Sequence, residues 1–315
     1  MKGKIFLFLA LIFVCQISFS QLTDLEPNLV KPKKEKEKVD SVDGWKYGGV
    51  TTLTFSQVEL INWAAGGQNS TAMTGLVNLF ANYKKGKATL DNTLDIGYGI
   101  IKQGDGNPFI KNEDRFDFAS KYGKEARKNW YYAGMLSFKS QLTETKDYTD
   151  TENPVLVSNF LAPAYLMGAV GMDYRISDKL TVFLAPVTGK ITIVNDTLFT
   201  SKYGLEPGKK SRSEFGGYLK SMFKIQLVKN VTLTSKLDLF SNYLEKPENI
   251  DVNWELLIAM KINKYLSANI HTHLIYDDDV MIKVDTDNNT ENGFEEEGPR
   301  VQFKEVFGLG LSVKF

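Results

Sequence analysis

Cysteine is nearly missing: the 315 residues hold one, Cys15, inside an apolar run close to the amino terminus. A chain that loses that run has no disulfide to support its fold and no thiol chemistry to offer. Histidine is almost as scarce, and His271 and His273 are the only two. Net charge is missing as well, because 38 Lys and Arg face 38 Asp and Glu. That balance excludes the basic footprint of a nucleic-acid binder and the cationic face of a membrane-surface protein. Beyond residue 20 there is no unbroken apolar stretch of the ~18 residues that a spanning helix needs, and the mean hydropathy is −0.23. A helical membrane protein is thereby excluded. A transmembrane β-barrel is not, since half of its residues face water.

The amino-terminal run has the layout of an export signal. Lys2 and Lys4 precede the apolar residues Ile5 to Val14, and Ile17-Ser18-Phe19-Ser20-Gln21 follows, which gives a charged region, a short apolar region and small residues before a cut. Residues 1–20 are expected to be a cleaved signal peptide. The alternative, a lipoprotein signal built on Cys15, fits less well because Phe13 and Val14 are bulky where a small residue is needed. Residues 21–44 contain the stretch Lys31 to Lys38, rich in Lys and Glu. Such a segment buries too little apolar surface to offset its ordering entropy, so a charged periplasmic linker is expected there, before a barrel over 45–315.

From Trp45 onward apolar and polar residues alternate with period two, the pattern of strands that show different faces to different surroundings. Six strands are expected over Trp45–Ile61, Ser70–Tyr83, Ala88–Lys102, Arg115–Ala126, Trp130–Leu142 and Ala164–Ser177. Six more are expected over Leu180–Val194, Ser213–Val228, Val231–Tyr243, Ile250–Asn263, Leu266–Lys283 and Arg300–Phe315. Short connections such as Lys84 to Lys87, Arg127-Lys128-Asn129 and Lys229-Asn230 alternate with long ones such as Thr143 to Leu161 and Asn195 to Arg212. Twelve strands, short turns on one rim and long loops on the other describe an all-β, antiparallel up-and-down barrel of the outer-membrane type, with the short turns in the periplasm.

The last strand shows the pattern most clearly. Val301, Phe303, Phe307, Leu309, Leu311, Val313 and Phe315 share one face, interrupted only by Glu305. Tyr83, Trp130, Tyr174, Tyr265 and Phe315 fall near the short-turn rim, and Tyr98, Tyr243, Trp254 and Tyr276 near the long-loop rim, as two interfacial aromatic girdles require. The opposite faces carry Asp91, Asp95, Glu214, Lys220, Lys224, Lys236, Asp238, Asp251, Glu255, Lys261 and Lys304. Mixed signs of this kind pair across a narrow interior, giving a filled or weakly selective lumen, so the expected function is that of a passive pore or of a ligand-binding or structural barrel. The alternative of another class is a soluble secreted β-sandwich that binds a ligand.

The stretch Gln57-Val58-Glu59-Leu60-Ile61-Asn62-Trp63-Ala64-Ala65-Gly66-Gly67-Gln68-Asn69-Ser70, after a first strand with Leu53 and Phe55, resembles the opening hallmark of a Bacteroidota outer-membrane barrel family of unknown function. The resemblance implies a secreted outer-membrane barrel with no established activity. Asn62, Trp63, Gly66 and Gly67 are the candidates for a ligand contact in that hairpin, whose plainer role is a tight reversal between strands one and two.

Enzyme chemistry has little to build on. His271 and His273 share one strand face, followed by Asp277, Asp278 and Asp279, and could hold a divalent metal or serve a serine such as Ser241 as base. No G-x-S-x-G elbow or H-E-x-x-H signature accompanies them, so a structural role in the lumen is expected and a barrel enzyme is the alternative. Asp285, Asp287, Asn289, Glu291 and Glu296 occupy ligand places of a D-x-D-x-N calcium loop, but Thr290 stands where such loops place glycine. Ca2+ is the one cofactor the sequence raises. The partners it implies are outer-membrane lipid and lipopolysaccharide, and, through the carboxyl-terminal strand, the barrel assembly machinery; no nucleic acid is expected. Deletion of Phe315 should lower the amount of protein recovered in outer membranes several-fold, measured by fractionation and immunoblot, and normal levels would remove that residue from assembly.

Overall fold

The computed structural model describes residues 43–61, 68–104, 106–148, 154–177, 179–263, 265–284 and 296–314. The strands are β1 (Gly44–Val58), β2 (Ser70–Lys85), β3 (Ala88–Gln103), β4 (Ile110–Arg127), β5 (Trp130–Ser140), β6 (Thr145–Asp147), β7 (Val155–Ser158) and β8 (Ala164–Arg175). They continue as β9 (Leu180–Ile193), β10 (Ser211–Val228), β11 (Val231–Asn242), β12 (Ile250–Lys261), β13 (Leu266–Tyr276), β14 (Met281–Val284), β15 (Glu296–Pro299) and β16 (Gln302–Lys314). Twelve of them form a closed antiparallel barrel in the order β1-β16-β13-β12-β11-β10-β9-β8-β5-β4-β3-β2. The pairs β6/β7 and β14/β15 are small hairpins inside two of the long loops. No helix among the described residues is long and apolar enough to cross a membrane.

The short turns are written into the sequence by residues that tolerate a left-handed backbone. Gly86 has φ 56°, Asn129 φ 67° and Asn230 φ 67°, and asparagine is among the few side chains that adopt this region at low cost. Beside the two asparagine turns the ladder slips by one residue, between Glu125 and Arg127 and between Gln226 and Val228, the local bulge that fits a tight turn to twisted strands. The β12–β13 turn is held by Asn263, whose side-chain oxygen accepts from the backbone N–H groups of Tyr265 and Leu266, each at 2.8 Å.

Alternation along the strands sets two unlike faces. Trp45, Tyr47, Leu53 and Phe55 of β1, Tyr132 and Leu136 of β5, Val170 of β8, Leu184 and Val187 of β9, and Phe303 and Phe307 of β16 are exposed on the outer wall. Met135, Phe183, Tyr218 and Phe240, from strands β5, β9, β10 and β11, are buried in a cluster on the lumen side. This arrangement inverts the economy of a water-soluble sandwich, where large apolar side chains are enclosed and polar ones face out. Aromatic pairs stand at both rims. Trp45 meets Tyr83 with ring centroids 5.1 Å apart and Trp130 meets Tyr174 at 4.6 Å near the short turns, while Phe215 meets Tyr243 at 6.0 Å near the long loops.

Several strand boundaries differ from the sequence reading, most of them by one to three residues. The expected strand Leu266–Lys283 stops at Tyr276, because the Asp277 side chain accepts from the Asp279 N–H at 2.9 Å and its carbonyl from the Val280 N–H at 3.2 Å. That local turn satisfies the backbone in place of the ladder. β4 begins at Ile110, not Arg115, where Asp114 draws in Lys111 at 2.5 Å and accepts from the Leu142 N–H at 2.7 Å. β1 takes in Gly44, the last residue of the expected linker, opposite Lys84.

Above the long-loop rim, Ala162, Val194, Phe199, Tyr203 and Leu205 pack with Leu156 and Val280 into a second apolar cluster that caps part of the mouth. Burial there raises the Tyr203 hydroxyl to about 12 and lowers the Lys202 ammonium below its usual range. Replacing Asn230 by valine should destabilise the barrel by roughly 1–2 kcal/mol, the cost of a β-branched residue in the left-handed region, whereas N230G should be close to neutral. Urea titration of the refolded protein, followed by its heat-dependent gel mobility, distinguishes these outcomes.

Candidate functional site

The chemistry-bearing residues converge in the lumen, where every second position of each strand points inward. Near the short-turn rim, Asp173 of β8 is fully buried and takes Lys121 of β4 at 2.8 Å and Arg175 at 2.5 Å. Arg175 also reaches Asp91 of β3 at 2.9 Å, and its guanidinium lies 4.6 Å from the Tyr131 ring. Two cations around one enclosed carboxylate, with a second carboxylate behind, offset one another's desolvation.

At mid-height the pairs run across the barrel. Arg115 of β4 meets Glu255 of β12 at 3.1 Å, and Lys236 of β11 meets Asp95 of β3 at 3.2 Å. In the ring, β4 and β12 have five strands between them on either side, and so do β3 and β11. Both pairs therefore join opposite walls, which they hold within the combined reach of two side chains. Asp238 of β11 accepts from Lys139 of β5 at 3.4 Å and lies 3.3 Å from Lys220 of β10. Lys304 of β16 bonds Glu113 and the Asn112 carbonyl of β4, and Asn78 bonds Asp95.

Toward the long loops, Lys190 of β9 gathers Asp251 at 2.8 Å, Glu214 at 3.5 Å and Asp277 at 3.8 Å, and lies 4.9 Å from the Phe240 ring. Arg212 bridges Glu214 at 3.1 Å and Asp279 at 2.6 Å. Beside these, Asn242, Glu245, Lys246, Asn249 and Asp278 help to line a cavity of about 20 Å³, room for little more than one water molecule.

His271 and His273 do face the lumen and sit 6.3 Å apart between ring centroids. His271 Nε2 lies 3.4 Å from Glu255, and His273 Nε2 lies 3.1 Å from the Asn253 side-chain oxygen. The three aspartates that follow serve other partners: Asp277 faces Lys190, Asp278 accepts from Asn249 at 2.6 Å, and Asp279 holds Arg212. Ser241 donates to the Pro247 carbonyl at 2.7 Å. Ser241 and the three aspartates thus engage partners other than the two histidines. Among the described residues no group of three or more His, Cys, Asp or Glu is placed to hold a metal ion. Asn62, Trp63, Gly66, Gly67, Asp285, Asp287, Asn289, Glu291 and Phe315 lie outside the described residues. Glu296 falls in β15, where its backbone pairs with Val284.

Asp91, Asp95, Glu214, Lys220, Lys236, Asp238, Asp251, Glu255 and Lys304 take part in the network as their strand parity implies. Sequence reading passed over Arg115, Lys121, Lys139, Asp173, Arg175, Lys190 and Arg212. The signal for the first two was present: Phe116 and Phe118 face outward opposite Ile96 and Leu94, so Arg115, Asp117 and Lys121 must face inward.

A family model described as protein of unknown function (DUF3078) matches residues 55–145. No curated protein matches the chain. Among solved structures, the translocator domain of autotransporter NalP from Neisseria meningitidis is similar at 8% identity and a TM-score of 0.39, over 88% of this chain and 90% of that one. An outer membrane channel from Pseudomonas putida F1 is similar at 11% identity and a TM-score of 0.37, over 93% and 100%. OmpT, an outer membrane protein of Vibrio cholerae, is similar at 6% identity and a TM-score of 0.31, over 86% and 97%. Values this low carry no activity across.

Changing Asp173 to asparagine removes the carboxylate that pairs with both Lys121 and Arg175 and leaves Arg175 paired with Asp91 alone. The barrel should lose about 3–5 kcal/mol, the usual cost of leaving a buried ion without its partner, read as a lower urea midpoint than that of an exposed control such as E206Q. An unchanged midpoint would mean that this triad contributes nothing to stability.

Proposed function

We propose that this chain is an exported outer-membrane barrel whose lumen is closed to free diffusion, so that it acts as a structural or ligand-binding element of the envelope and not as an open pore or an enzyme. The observation that carries the reading is the Arg115–Glu255 contact at 3.1 Å between opposite strands, seconded by Lys236–Asp95 at 3.2 Å. An open channel keeps opposite walls apart and leaves water between them. Here the side chains meet.

Membrane residence is supported by the outward apolar side chains, by aromatic pairs at both rims and by barrel strands of 11 to 18 residues, enough for the ~9–11 needed to cross a bilayer when tilted. The short turns then lie in the periplasm, and the capped long-loop rim faces outward toward lipopolysaccharide. Against enzyme chemistry stands the engagement of Ser241 by the Pro247 carbonyl and of Asp277, Asp278 and Asp279 by Lys190, Asn249 and Arg212.

Planar-bilayer recording of the refolded protein tests the closed lumen, with heat-dependent gel mobility confirming that the sample is folded. The parent should insert without a steady open level, and the double variant R115A/K236A, which removes one end of each tie, should show a larger and longer-lived conductance. A stable ohmic conductance in the parent, unchanged in the variant, would establish an open pore instead.

A further inference from the structure

The wall is not equally closed all the way round. β1 pairs with β2 along its whole length, from Gly44–Lys84 to Val58–Ser70, but with β16 at five positions only, from Val50–Lys314 to Thr54–Gly310. The next shortest seams, β12/β13 and β13/β16, have ten each. Continuing the β1/β16 register would set Ser56 against Gly308 and Val58 against Val306. Among the described residues no backbone pairing joins 55–58 to 306–309. Lumen-side residues at this level are accordingly open, with Val58 46% and Val306 36% exposed.

Unpaired strand edges inside a membrane are costly, because each buried N–H or C=O without a partner costs several kcal/mol and hydrocarbon supplies none. A lipid chain filling the gap would cover apolar area but bond none of these groups. Another extended backbone bonds all of them, at the spacing the edge already has. The outer face of the free β16 edge adds a chemical requirement. Phe303 and Phe307 are exposed there at 62% and 68%, and between them Glu305 faces outward, opposite Thr272 of β13. No described side chain neutralises Glu305. A basic residue on the next strand over would stand directly beside it, at the ~5 Å of cross-strand neighbours.

We propose that the upper half of the β1/β16 seam is a docking edge for an extended segment of a partner protein, a strand apolar on its outer face except for one lysine or arginine set beside Glu305. The inference stands on the seam and is independent of whether the lumen conducts.

The probe is a fluorescent ten-residue peptide of alternating leucine and threonine with one arginine on the leucine face, titrated onto the refolded full chain in phosphatidylcholine vesicles. Because Cys15 is the only cysteine, a C15S background allows V58C/V306C to lock the open part of the seam and T52C/S312C to staple the part already paired. Saturable binding to the parent, weakened about tenfold or more (~1.4 kcal/mol) by oxidised V58C/V306C, regained on reduction and unaffected by oxidised T52C/S312C, is the expected result. E305K should reverse the preference, so that a peptide with glutamate in place of the arginine binds better. If the V58C/V306C disulfide does not form, the charge reversal decides alone. No saturable binding to the parent, equal binding to the locked seam, or indifference to the sign at position 305 would overturn the proposal.

Discussion

The closure of the sheet on itself is the constraint from which the other features follow. An open sheet leaves two rows of unpaired backbone groups, and a chain whose outer wall is apolar has no water there to satisfy them. Closing the ring removes both edges and forces each strand to have one face outside and one inside. With the outside apolar, most ionic groups on the strands are sent to the same narrow space, Glu305 of β16 being an exception. Asp173 with Lys121 and Arg175, Glu255 with Arg115, and Lys190 with its three carboxylates are the result. Composition thus decides lumen chemistry indirectly: near-equal numbers of acids and bases, confined together, neutralise in pairs and fill the interior.

The faces of the barrel were legible because period two depends only on neighbours in sequence. The outward residues of β12, Val252, Trp254, Leu256, Ile258 and Met260, follow from alternation alone, and the register places them opposite outward residues of β11. The short turns were legible for the same local reason, Asn129 and Asn230 being residues that accept a positive φ. Partners across the lumen were not legible. That Arg115 meets Glu255, 140 residues away, depends on the order of strands around the ring and on the stagger between them, and neither is encoded near either residue. The failure at β13 was of another kind. The alternation stops at Tyr276, where Asp277-Asp278-Asp279 and then Val280-Met281-Ile282 break period two, and the Asp277 side chain offers the backbone a local turn in place of the ladder.

The lumen also mixes two kinds of contact on the same strands. β5, β9, β10 and β11 supply the apolar cluster of Met135, Phe183, Tyr218 and Phe240, and they also supply Lys139, Lys190, Lys220 and Asp238, with Lys190 lying 4.9 Å from the Phe240 ring. The wall at β13 and β16 offers His271, His273 and Lys304. Salt screens exposed charges and leaves apolar burial intact or stronger, so ionic strength acts on the ties and spares the packing beside them.

The short seam between β1 and β16 has a mechanical meaning as well. A tube cut along part of its length keeps most of its resistance to bending but gives up much of its resistance to twisting, because shear can no longer be passed around the circumference at the cut. Five paired positions leave this barrel nearer to such a slit tube than its twelve strands suggest. Thermal motion of the wall should accordingly be torsional, with the two lips sliding past one another along the strand direction and the ties at Arg115 and Lys236 setting how far they travel.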